Sequence, residues 1–388
     1  MDNDKYIPLC EPELNGNESI YLKECIDSSW VSSSGAFLDR FEEKIAEYTG
    51  SKHAIACVNG TSAIHASLEL SGVSGGDEVL IPTLTFIAPV NAVLYCNASP
   101  VFFDCDQFHN IDTNHLEKFL KEETYFQGSN TYNKATNRII RAIVVVHVWG
   151  NCAQLDKILE LGKEYNIKVI EDASESLGSF YEGAKSTIHS GTAGLLGCLS
   201  FNGNKIITTG GGGAILTNDD ILAKKARYIL SQAKDDPIEY IHNEAGYNYR
   251  LTNLQASLGL AQIEQLHEKV IKKKKINTFY KNNIDTNKGR SILLGPSNSR
   301  SNHWLNVLKL DPDKHRDWRA LFQYLKRNNI DSRPVWFLNH NQKPFKKFQN
   351  YSVTRAESEV RYSLCLPSSV GLVEEDLYKI CNLINSYE

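Results

Sequence analysis

The sequence has neither paired cysteines nor a long apolar segment. None of its nine cysteines forms a C-x-x-C pair, and most of them, such as Cys57, Cys105 and Cys198, lie in apolar runs. This setting is typical of buried thiols in a reducing compartment, so we expect neither a disulfide framework nor a metal site. No apolar run approaches the length of a membrane span, so we expect no membrane association.

A strong charge of either sign is also absent, as is a common nucleotide-binding motif. The formal net charge of −4 argues against a general nucleic-acid binder. No Gly-x-Gly-x-x-Gly follows the first predicted strand, which counts against a plain dinucleotide-binding protein. The opening residues, Met1-Asp-Asn-Asp-Lys5, lack the apolar core of a signal peptide, so we expect a cytoplasmic location.

The pattern that remains predicts an α/β fold. In 388 residues with 41% hydrophobic and 23% charged side chains, one large or two moderate domains are expected. Seven apolar runs lie between residues 53 and 217, most of them separated by segments of helical spacing. This alternation is typical of βαβ units and a mostly parallel sheet, on which ligands bind beyond the carboxyl ends of the strands.

Residues 254–284 read as one long helix, at which we expect the chain to divide. The prediction is a large domain over residues 1–253, with an N-terminal arm, and a smaller α+β domain over residues 254–388. Residues 125–137 are polar and predict a surface insertion without chemistry. Residues 30–36 form a polar link that either lines a substrate cleft or is an ordinary loop.

The stretch Ser200–Gly213 is the first of three candidate sites at predicted strand ends. A short apolar run leads into a polar turn with one lysine, Lys205, and four glycines follow at residues 210–213. Such a lysine can bind a phosphate, form a Schiff base with a carbonyl group, or face solvent before a hairpin. A P-loop does not fit, because its lysine follows the glycines and here the lysine precedes them.

The other two candidate sites offer an anion seat and a carboxylate. Asn59-Gly60-Thr61-Ser62 forms a strand-to-helix turn whose amides can hold an anion, although an ordinary N-cap has the same composition. Glu171-Asp172-Ala-Ser-Glu175 ends a strand and can bind a metal, a ribose or a protonated ring nitrogen, or form a structural cap. An anion seat, a carboxylate and a lysine are together what pyridoxal phosphate needs.

In their order along the chain, these pieces resemble the DegT/DnrJ/EryC1/StrS sugar aminotransferases, which are fold-type-I pyridoxal-phosphate enzymes. The matching pieces cover roughly residues 7–260 and are specific as a set: Trp30-Val-Ser-Ser-Ser-Gly35, Asn59-Gly-Thr-Ser-Ala63, Pro82-Thr-Leu-Thr-Phe86, Glu171-Asp-Ala-Ser-Glu175, Ser200–Gly213 and Gly246-Tyr-Asn-Tyr-Arg250. The resemblance implies pyridoxal 5′-phosphate as cofactor. It also implies a large domain with a mostly parallel seven-stranded sheet and a smaller α+β C-terminal domain.

The resemblance implies a chemical role for three residues. Lys205 matches the lysine that forms the Schiff base and then moves a proton between the substrate carbon and the cofactor. Asp172 matches the carboxylate beneath the pyridine nitrogen, which keeps the ring positive and electron-withdrawing. Glu175 matches a position near the cofactor's 3-hydroxyl group, where many relatives carry glutamine.

The remaining cofactor contacts follow from the same resemblance. Gly60 and Thr61 match backbone amides that hold the phosphate, and Ser200 adds a hydroxyl group. Phe86 matches the aromatic residue that stacks on the cofactor ring. Asn248 matches an asparagine that reaches the phosphate from the other subunit, which implies a homodimer with shared active sites.

Five further residues are candidates for contacts with a sugar near the mouth of the cleft: Trp30, Ser33, His147, Arg250 and Trp304. For each of them, a buried or stacking role without substrate contact is the alternative. The intact Lys205 argues against the dehydratases of this family, which carry histidine there, and the intact Asp172 argues with it against a non-catalytic binding protein.

The expected function is therefore the transfer of an amino group from L-glutamate to a nucleotide-linked 4-keto-6-deoxy sugar. The stretch Ser200–Gly213 looks most like the branch that aminates C4 of UDP-4-keto-2,4,6-trideoxy sugars. That branch serves the bacillosamine and legionaminic acid pathways of bacterial surface glycans. A GDP- or dTDP-linked substrate, and amination at C3, are the alternatives.

Overall fold

One sheet, covered by helices on both faces, runs through the N-terminal two thirds of the chain. The computed structural model describes residues 5–184 and 186–387. In the strand Ile140–Val146, Val144 lies in the apolar cluster on one face of the sheet and Val145 in the cluster on the other face. Burial of both faces explains why this strand reads as a continuous β-branched run.

The described residues form twelve α-helices, several of which begin at a side-chain cap. Asn59, Asp112, Asp219 and Thr252 each accept a hydrogen bond from an amide in the first turn of the helix that follows. In chain order the helices are α1 (Glu18–Asp27), α2 (Ala36–Thr49), α3 (Gly60–Leu70), α4 (Ile87–Tyr95), α5 (Thr113–Glu122), α6 (Leu155–Glu164), α7 (Asp220–Leu230), α8 (Asn253–Glu264), α9 (Leu266–Asn283), α10 (Arg319–Arg327), α11 (Arg355–Tyr362) and α12 (Glu374–Ser386).

The same residues form seventeen strands, many of them short. In chain order they are β1 (His53–Cys57), β2 (Glu78–Pro82), β3 (Ser99–Phe103), β4 (Thr124–Gln127), β5 (Asn130–Asn133), β6 (Ile140–Val146), β7 (Lys168–Asp172), β8 (Phe180–Glu182), β9 (Thr187–His189), β10 (Leu196–Ser200), β11 (Gly213–Thr217), β12 (Arg290–Ile292), β13 (Ser299–Arg300), β14 (Asn306–Leu310), β15 (Arg333–Pro334), β16 (Asn350–Tyr351) and β17 (Ser363–Leu366).

The main sheet confirms the predicted α/β topology. Its strand order is β1-β11-β10-β7-β6-β2-β3-β16. β11 is antiparallel to both of its neighbours, and the other neighbouring pairs are parallel. The seven predicted strands are all present, and β16 adds an eighth at one edge. The carboxyl ends of β2, β7 and β10 therefore meet at one edge of the sheet.

A second apolar core forms in the C-terminal part of the chain, around a four-stranded sheet of order β12-β14-β17-β15. Helices α9, α10 and α12 contribute to it, for example through Tyr280, Leu325 and Ile384. The N-terminal arm joins this core through Ile7, whose amide donates to the carbonyl of Asn329 at 2.9 Å. The division into a large domain over residues 1–253 and a smaller domain over residues 254–388 stays a prediction.

The prediction of one helix over residues 254–284 is wrong. Two helices, α8 and α9, meet at Gln265, where φ is −104° and ψ is 0°. Leu260 of α8 packs in the core with α2, whereas Ile276 and Tyr280 of α9 pack in the C-terminal core. Leu266, at the start of α9, still packs in the core with α2, so the change from one core to the other falls within α9 and not at Gln265. The apolar spacing in the sequence continues on both sides of Gln265 and does not reveal the interruption.

The polar segment 125–137, predicted as a surface insertion, contains an ordered hairpin. Its strands β4 and β5 pair in antiparallel register. Phe126 at the tip is exposed, but Asn133 is buried and its side-chain amide donates to Glu78 and to Gln349, each at 2.7 Å. The base of the hairpin is therefore fixed to the sheet by buried hydrogen bonds.

Asn253 fastens the polar link 30–36 to the start of α8. Its side-chain oxygen accepts from the amides of Phe37 and Leu38 at 3.1 and 3.3 Å, so it caps α2 from a distant part of the chain. Its side-chain nitrogen donates to the carbonyl of Trp30 at 2.7 Å. Gly35 has φ of 149° and lies so close that a Cβ atom there would stand 2.4 Å from Asn253 Cγ.

Replacement of Asn253 should therefore destabilise the protein. We expect Asn253→Ala to lower the free energy of unfolding by about 2 to 4 kcal/mol, because two amides of α2 and one carbonyl group lose a buried partner. Urea denaturation followed by circular dichroism measures the change. Asn282→Ala, at an exposed position of α9, is the matched control. Equal losses of stability in the two variants would contradict this account.

Candidate active site

A cleft of about 340 Å³ opens beyond the carboxyl ends of the main strands. Asp172 ends β7, Ser200 ends β10, and Phe86 follows β2. The cleft brings together eight of the residues that the sequence predicts for the site: Gly60, Thr61, Phe86, Asp172, Glu175, Ser200, Lys205 and Trp304. Residues far apart in the sequence thus meet where the parallel topology requires it.

The first turn of α3 forms one end of the cleft. Asn59 caps the helix by accepting from the amide of Ser62 at 2.8 Å, and the amides before it have no acceptor within the helix. A Cβ atom on Gly60 would stand 2.8 Å from the Cβ atom of Ser200. A Cβ atom on Gly213 would stand 2.6 Å from the Asn59 carbonyl carbon. Glycine at both positions lets the strand and the helix start approach each other closely.

Asp172 provides a buried carboxylate at the end of β7. Its side chain accepts from the amide of Ser174 at 3.0 Å. Burial raises the pKa of Asp172, and the hydrogen bonds from Ser174 and the charge of Lys205 oppose that rise. A carboxylate held in this way is poised to pair with a cation that enters the cleft.

Glu171, the preceding acidic residue, has a structural role. It lies on the opposite side of the strand and accepts from His147 Nε2 at 2.9 Å and from the amide of Gly194 at 2.6 Å. Burial opposes ionisation of Glu171, but the hydrogen bond and charge of His147, together with the amides of Gly194 and Gly191, outweigh it and lower the pKa of this carboxyl. His147 is fully buried in this pair and does not line the cleft.

Lys205 reaches the middle of the cleft from the turn after β10. Its Nζ lies 3.8 Å from Glu175 Oε1 and 3.9 Å from the ring centre of Trp304. The indole nitrogen of Trp304 donates to the carbonyl of Asn204 at 2.7 Å, which fixes the turn that carries the lysine. The amine is thus held between a carboxylate and an aromatic face, and its side chain is only 14% exposed.

Glu175 is the second carboxylate near the lysine. It is buried, and its Oε2 accepts from the backbone amide of Trp149 at 2.9 Å. Burial raises the pKa of Glu175 to about 7, and the charge of Lys205 opposes that rise. Near neutral pH this group can therefore either hold or release a proton next to the Lys205 amine.

The structure leaves four other predicted residues outside the cleft lining of the single chain. Trp30 is 59% exposed, and Ser33 belongs to the same link. Arg250 pairs through its backbone with Cys57, at the start of the turn that leads into α3. Asn248 is exposed, and its backbone pairs with Ser231. Their roles toward substrate or partner stay predictions.

Sequence reasoning missed several residues of the cleft. Trp336 comes from the C-terminal part of the chain, and its ring lies 6.4 Å from that of Phe86. Asn202, Asn204 and Thr85 add neutral polar groups. Trp336 lies two residues beyond the short strand β15, and no spacing in the sequence indicates that this segment faces the cleft.

The donor set of the cleft fits pyridoxal phosphate. The start of α3 and the Ser200 hydroxyl group offer donors for a phosphate, and Asp172 offers a counter-charge for a protonated ring nitrogen. Phe86 presents an exposed aromatic face at the cleft, and Lys205 supplies the amine. Among residues 5–184 and 186–387, no group of three or more His, Cys, Asp or Glu side chains could hold a metal ion.

The raised pKa of Glu175 leads us to predict how the free energy of unfolding of the cofactor-free protein depends on pH. Because the folded protein binds this proton more tightly than the unfolded chain, the stabilising effect is complete below about pH 4.5 and is lost as the pH rises to about 7. Glu175→Gln removes this titration. Between about pH 4.5 and about pH 8, we expect the free energy of unfolding to fall by about 2 kcal/mol less in the variant than in the native protein.

Urea denaturation at a series of pH values tests this expectation. Glu24→Gln, at an exposed position of α1, is the control and should keep the pH dependence of the native protein. If Glu175→Gln and the native protein lost stability equally over this range, the proton affinity assigned to Glu175 would be refuted.

No helix in the described part of the chain is long and apolar enough to span a membrane.

Comparison with known proteins agrees with the geometry of the cleft. The model of the DegT/DnrJ/EryC1/StrS aminotransferase family matches residues 12–385. The GDP-perosamine synthase of Caulobacter vibrioides is 37% identical over 380 residues, which cover 96% of each chain.

Two further relatives extend the comparison. The UDP-4-amino-4,6-dideoxy-N-acetyl-beta-L-altrosamine transaminase of Campylobacter jejuni is 33% identical over 303 residues, which cover 77% of this chain and 76% of that one. The crystal structure of a DegT DnrJ EryC1 StrS aminotransferase from Brucella abortus is 25% identical, covers 96% of each chain and has a TM-score of 0.86. The chain therefore belongs to the DegT/DnrJ/EryC1/StrS aminotransferase family and is a sugar aminotransferase that depends on pyridoxal 5′-phosphate.

Proposed function

We propose that this protein transfers an amino group from L-glutamate to C4 of a nucleotide-linked 4-keto-6-deoxy sugar. The observation that carries the proposal is the meeting of Lys205, Asp172 and the start of α3 in one cleft, in a chain of this family. When bound there, pyridoxal phosphate would supply an electron-withdrawing ring and carry the amino group between the two substrates.

The residues of the cleft have separate tasks in this proposal. Lys205 takes and returns a proton at the substrate carbon, because its amine is in the middle of the cleft. The Asp172 carboxylate would accept a hydrogen bond from the ring nitrogen and so keep that nitrogen protonated. Trp304 and Trp336 narrow the cleft around Lys205 and exclude water, which strengthens the electrostatic interactions inside it.

For the nucleotide we propose GDP first and UDP second. The relative from Caulobacter vibrioides matches nearly the whole chain and is named for a GDP-linked amino sugar. The resemblance of Ser200–Gly213 favours UDP, with the bacillosamine and legionaminic acid pathways, and the shorter match from Campylobacter jejuni is named for a UDP-linked sugar. A dTDP-linked substrate is the third candidate.

A panel of substrates tests the proposal. The purified protein, loaded with pyridoxal phosphate and supplied with L-glutamate, is assayed with GDP-, UDP- and dTDP-linked 4-keto-6-deoxy sugars. We expect 2-oxoglutarate and an amino sugar to form in equal amounts, with kcat/KM for the GDP sugar about tenfold or more above that for the others, or about 1.4 kcal/mol. Nuclear magnetic resonance of the product locates the amine, which we expect at C4.

Lys205→Ala should abolish turnover and prevent borohydride from attaching the cofactor to the protein, as measured by mass spectrometry. Lys326→Ala, at an exposed position of α10, should keep both properties. Amination at C3 would contradict the proposed position, and failure with all three sugars would contradict the substrate class. Attachment of the cofactor to the Lys205→Ala variant would show that the wrong lysine was chosen.

We also propose that the active protein is a homodimer in which each cleft uses Asn248 of the other copy. Two features support this: Asn248 is exposed, and it lies outside the cleft of its own chain. Its backbone is held in place by pairing with Ser231, so the side chain projects from an ordered segment. An amide from a second copy would add a donor for the cofactor phosphate beside the start of α3.

Mixing two inactive variants tests this sharing. Lys205→Ala and Asn248→Asp each damage every cleft of their own homodimer. A mixed dimer of the two would contain one cleft with both defects and one with neither, so about a quarter of the native activity should return after equilibration of equal amounts. Continued inactivity of a verified mixed dimer would contradict shared sites. Mixing Lys205→Ala with Lys205→Arg is the control, since it should restore nothing.

A further inference from the structure

Trp149, immediately behind the cleft, has an unusual backbone conformation. Its φ of 60° and ψ of 11° fall in the left-handed region, which is costly for a bulky side chain. Such a conformation persists only where the surrounding contacts fix it, and it is found most often at functional sites. Here it directs the backbone N–H of Trp149 to Glu175 Oε2 at 2.9 Å.

Two kinds of contact hold the indole ring of Trp149. The ring stacks nearly parallel to those of Trp336 and Trp304, with ring centres 4.1 and 6.1 Å away and planes within 15° of parallel. Its Nε1 also donates to His109 Nδ1 at 3.0 Å. The stack alone would let the indole slide in its own plane, whereas the hydrogen bond fixes its position.

His109 is in turn fixed by a hydrogen bond to the buried carboxylate of Glu359. Because its Nδ1 accepts from Trp149, its Nε2 carries the proton and donates to Glu359 Oε2 at 3.1 Å. Lys309 Nζ donates to the other oxygen of Glu359 at 2.8 Å. Burial lowers the pKa of His109, so the ring is neutral, as this pattern of donors and acceptors requires.

These contacts fix the orientation of the Glu175 carboxylate. With Oε2 occupied by the Trp149 amide, Oε1 is left to face Lys205 Nζ at 3.8 Å. The other titratable groups that act on this carboxyl are Asp172, three residues earlier at the end of β7, and the buried thiol of Cys365. The amide of Trp149 is therefore a fixed donor that favours the ionised form of Glu175.

We propose that Trp149 is a positioning residue, locked by His109 and Glu359, which sets the orientation and proton affinity of Glu175 beside the Lys205 amine. The role concerns residues of this chain alone and does not depend on which sugar is the substrate. Through Trp149, helix α11 in the C-terminal part of the chain, which carries Glu359, is connected to Glu175 beside the Lys205 amine. His109 and Glu359 act through Trp149 and touch neither substrate nor cofactor.

Infrared spectroscopy of the cofactor-free protein tests the proposal. The carbonyl band of protonated Glu175, identified by its loss in Glu175→Gln, is followed against pH, with a native midpoint near 7. We expect Trp149→Phe, which keeps an aromatic ring but removes the indole N–H, to raise the midpoint by about one pH unit. His109→Ala should raise it equally, and His109→Asn, which keeps an acceptor near Nδ1, should leave it within about 0.3 units.

The double variant Trp149→Phe/His109→Ala makes the test specific. Since both changes remove the same hydrogen bond, its midpoint should equal that of either single variant, whereas additive shifts would overturn the proposal. An unchanged midpoint in Trp149→Phe would also overturn it, because stacking alone would then hold the turn. Should Trp149→Phe fail to fold, the comparison of His109→Ala with His109→Asn decides, and equal shifts in these two variants would count against the proposal.

Discussion

The burial of two carboxylates beside one amine is the constraint on which the cleft depends. Asp172 and Glu175 are almost fully buried, and an isolated carboxylate in such a place would be neutralised or would destabilise the fold. Each is therefore given a backbone amide, from Ser174 and Trp149 respectively, and both lie near the charge of Lys205. When both carboxylates are ionised they carry more charge than Lys205 alone can offset, so the cleft suits a group that brings a protonated ring nitrogen to Asp172.

The sheet explains why so much of this arrangement could be predicted from the sequence. Parallel strands end at the same edge, so Asp172 and Ser200 had to lie near each other once the strands were recognised. The glycines that flank the site report contacts that admit no side chain, as Gly60 does against Ser200. Local patterns of this kind can be predicted from the sequence, because each depends on a short segment and on a rule of strand or helix geometry.

The parts that the sequence did not reveal depend on contacts between distant segments. Nothing in the spacing around Trp149 indicates a left-handed turn, since its partners His109 and Trp336 lie 40 residues before it and in the C-terminal part of the chain. The break at Gln265 interrupts an apolar spacing that continues on both sides of it, and His147 lies outside the cleft because it pairs with the buried Glu171. Such features require the tertiary structure, because no local propensity favours them.

The C-terminal part of the chain therefore contributes side chains to the cleft in addition to packing against the sheet. It delivers Trp304 and Trp336 to the cleft and Glu359 to the network behind it, while the large sheet supplies Asp172 and the turn of Lys205. A change in how these C-terminal segments pack against the sheet would move the aromatic walls and the Trp149 turn together, since the three indole rings lie in one apolar cluster. Strand ends thus position the residues that we propose for the chemistry, whereas C-terminal segments that pack against the sheet shape the surroundings of these residues.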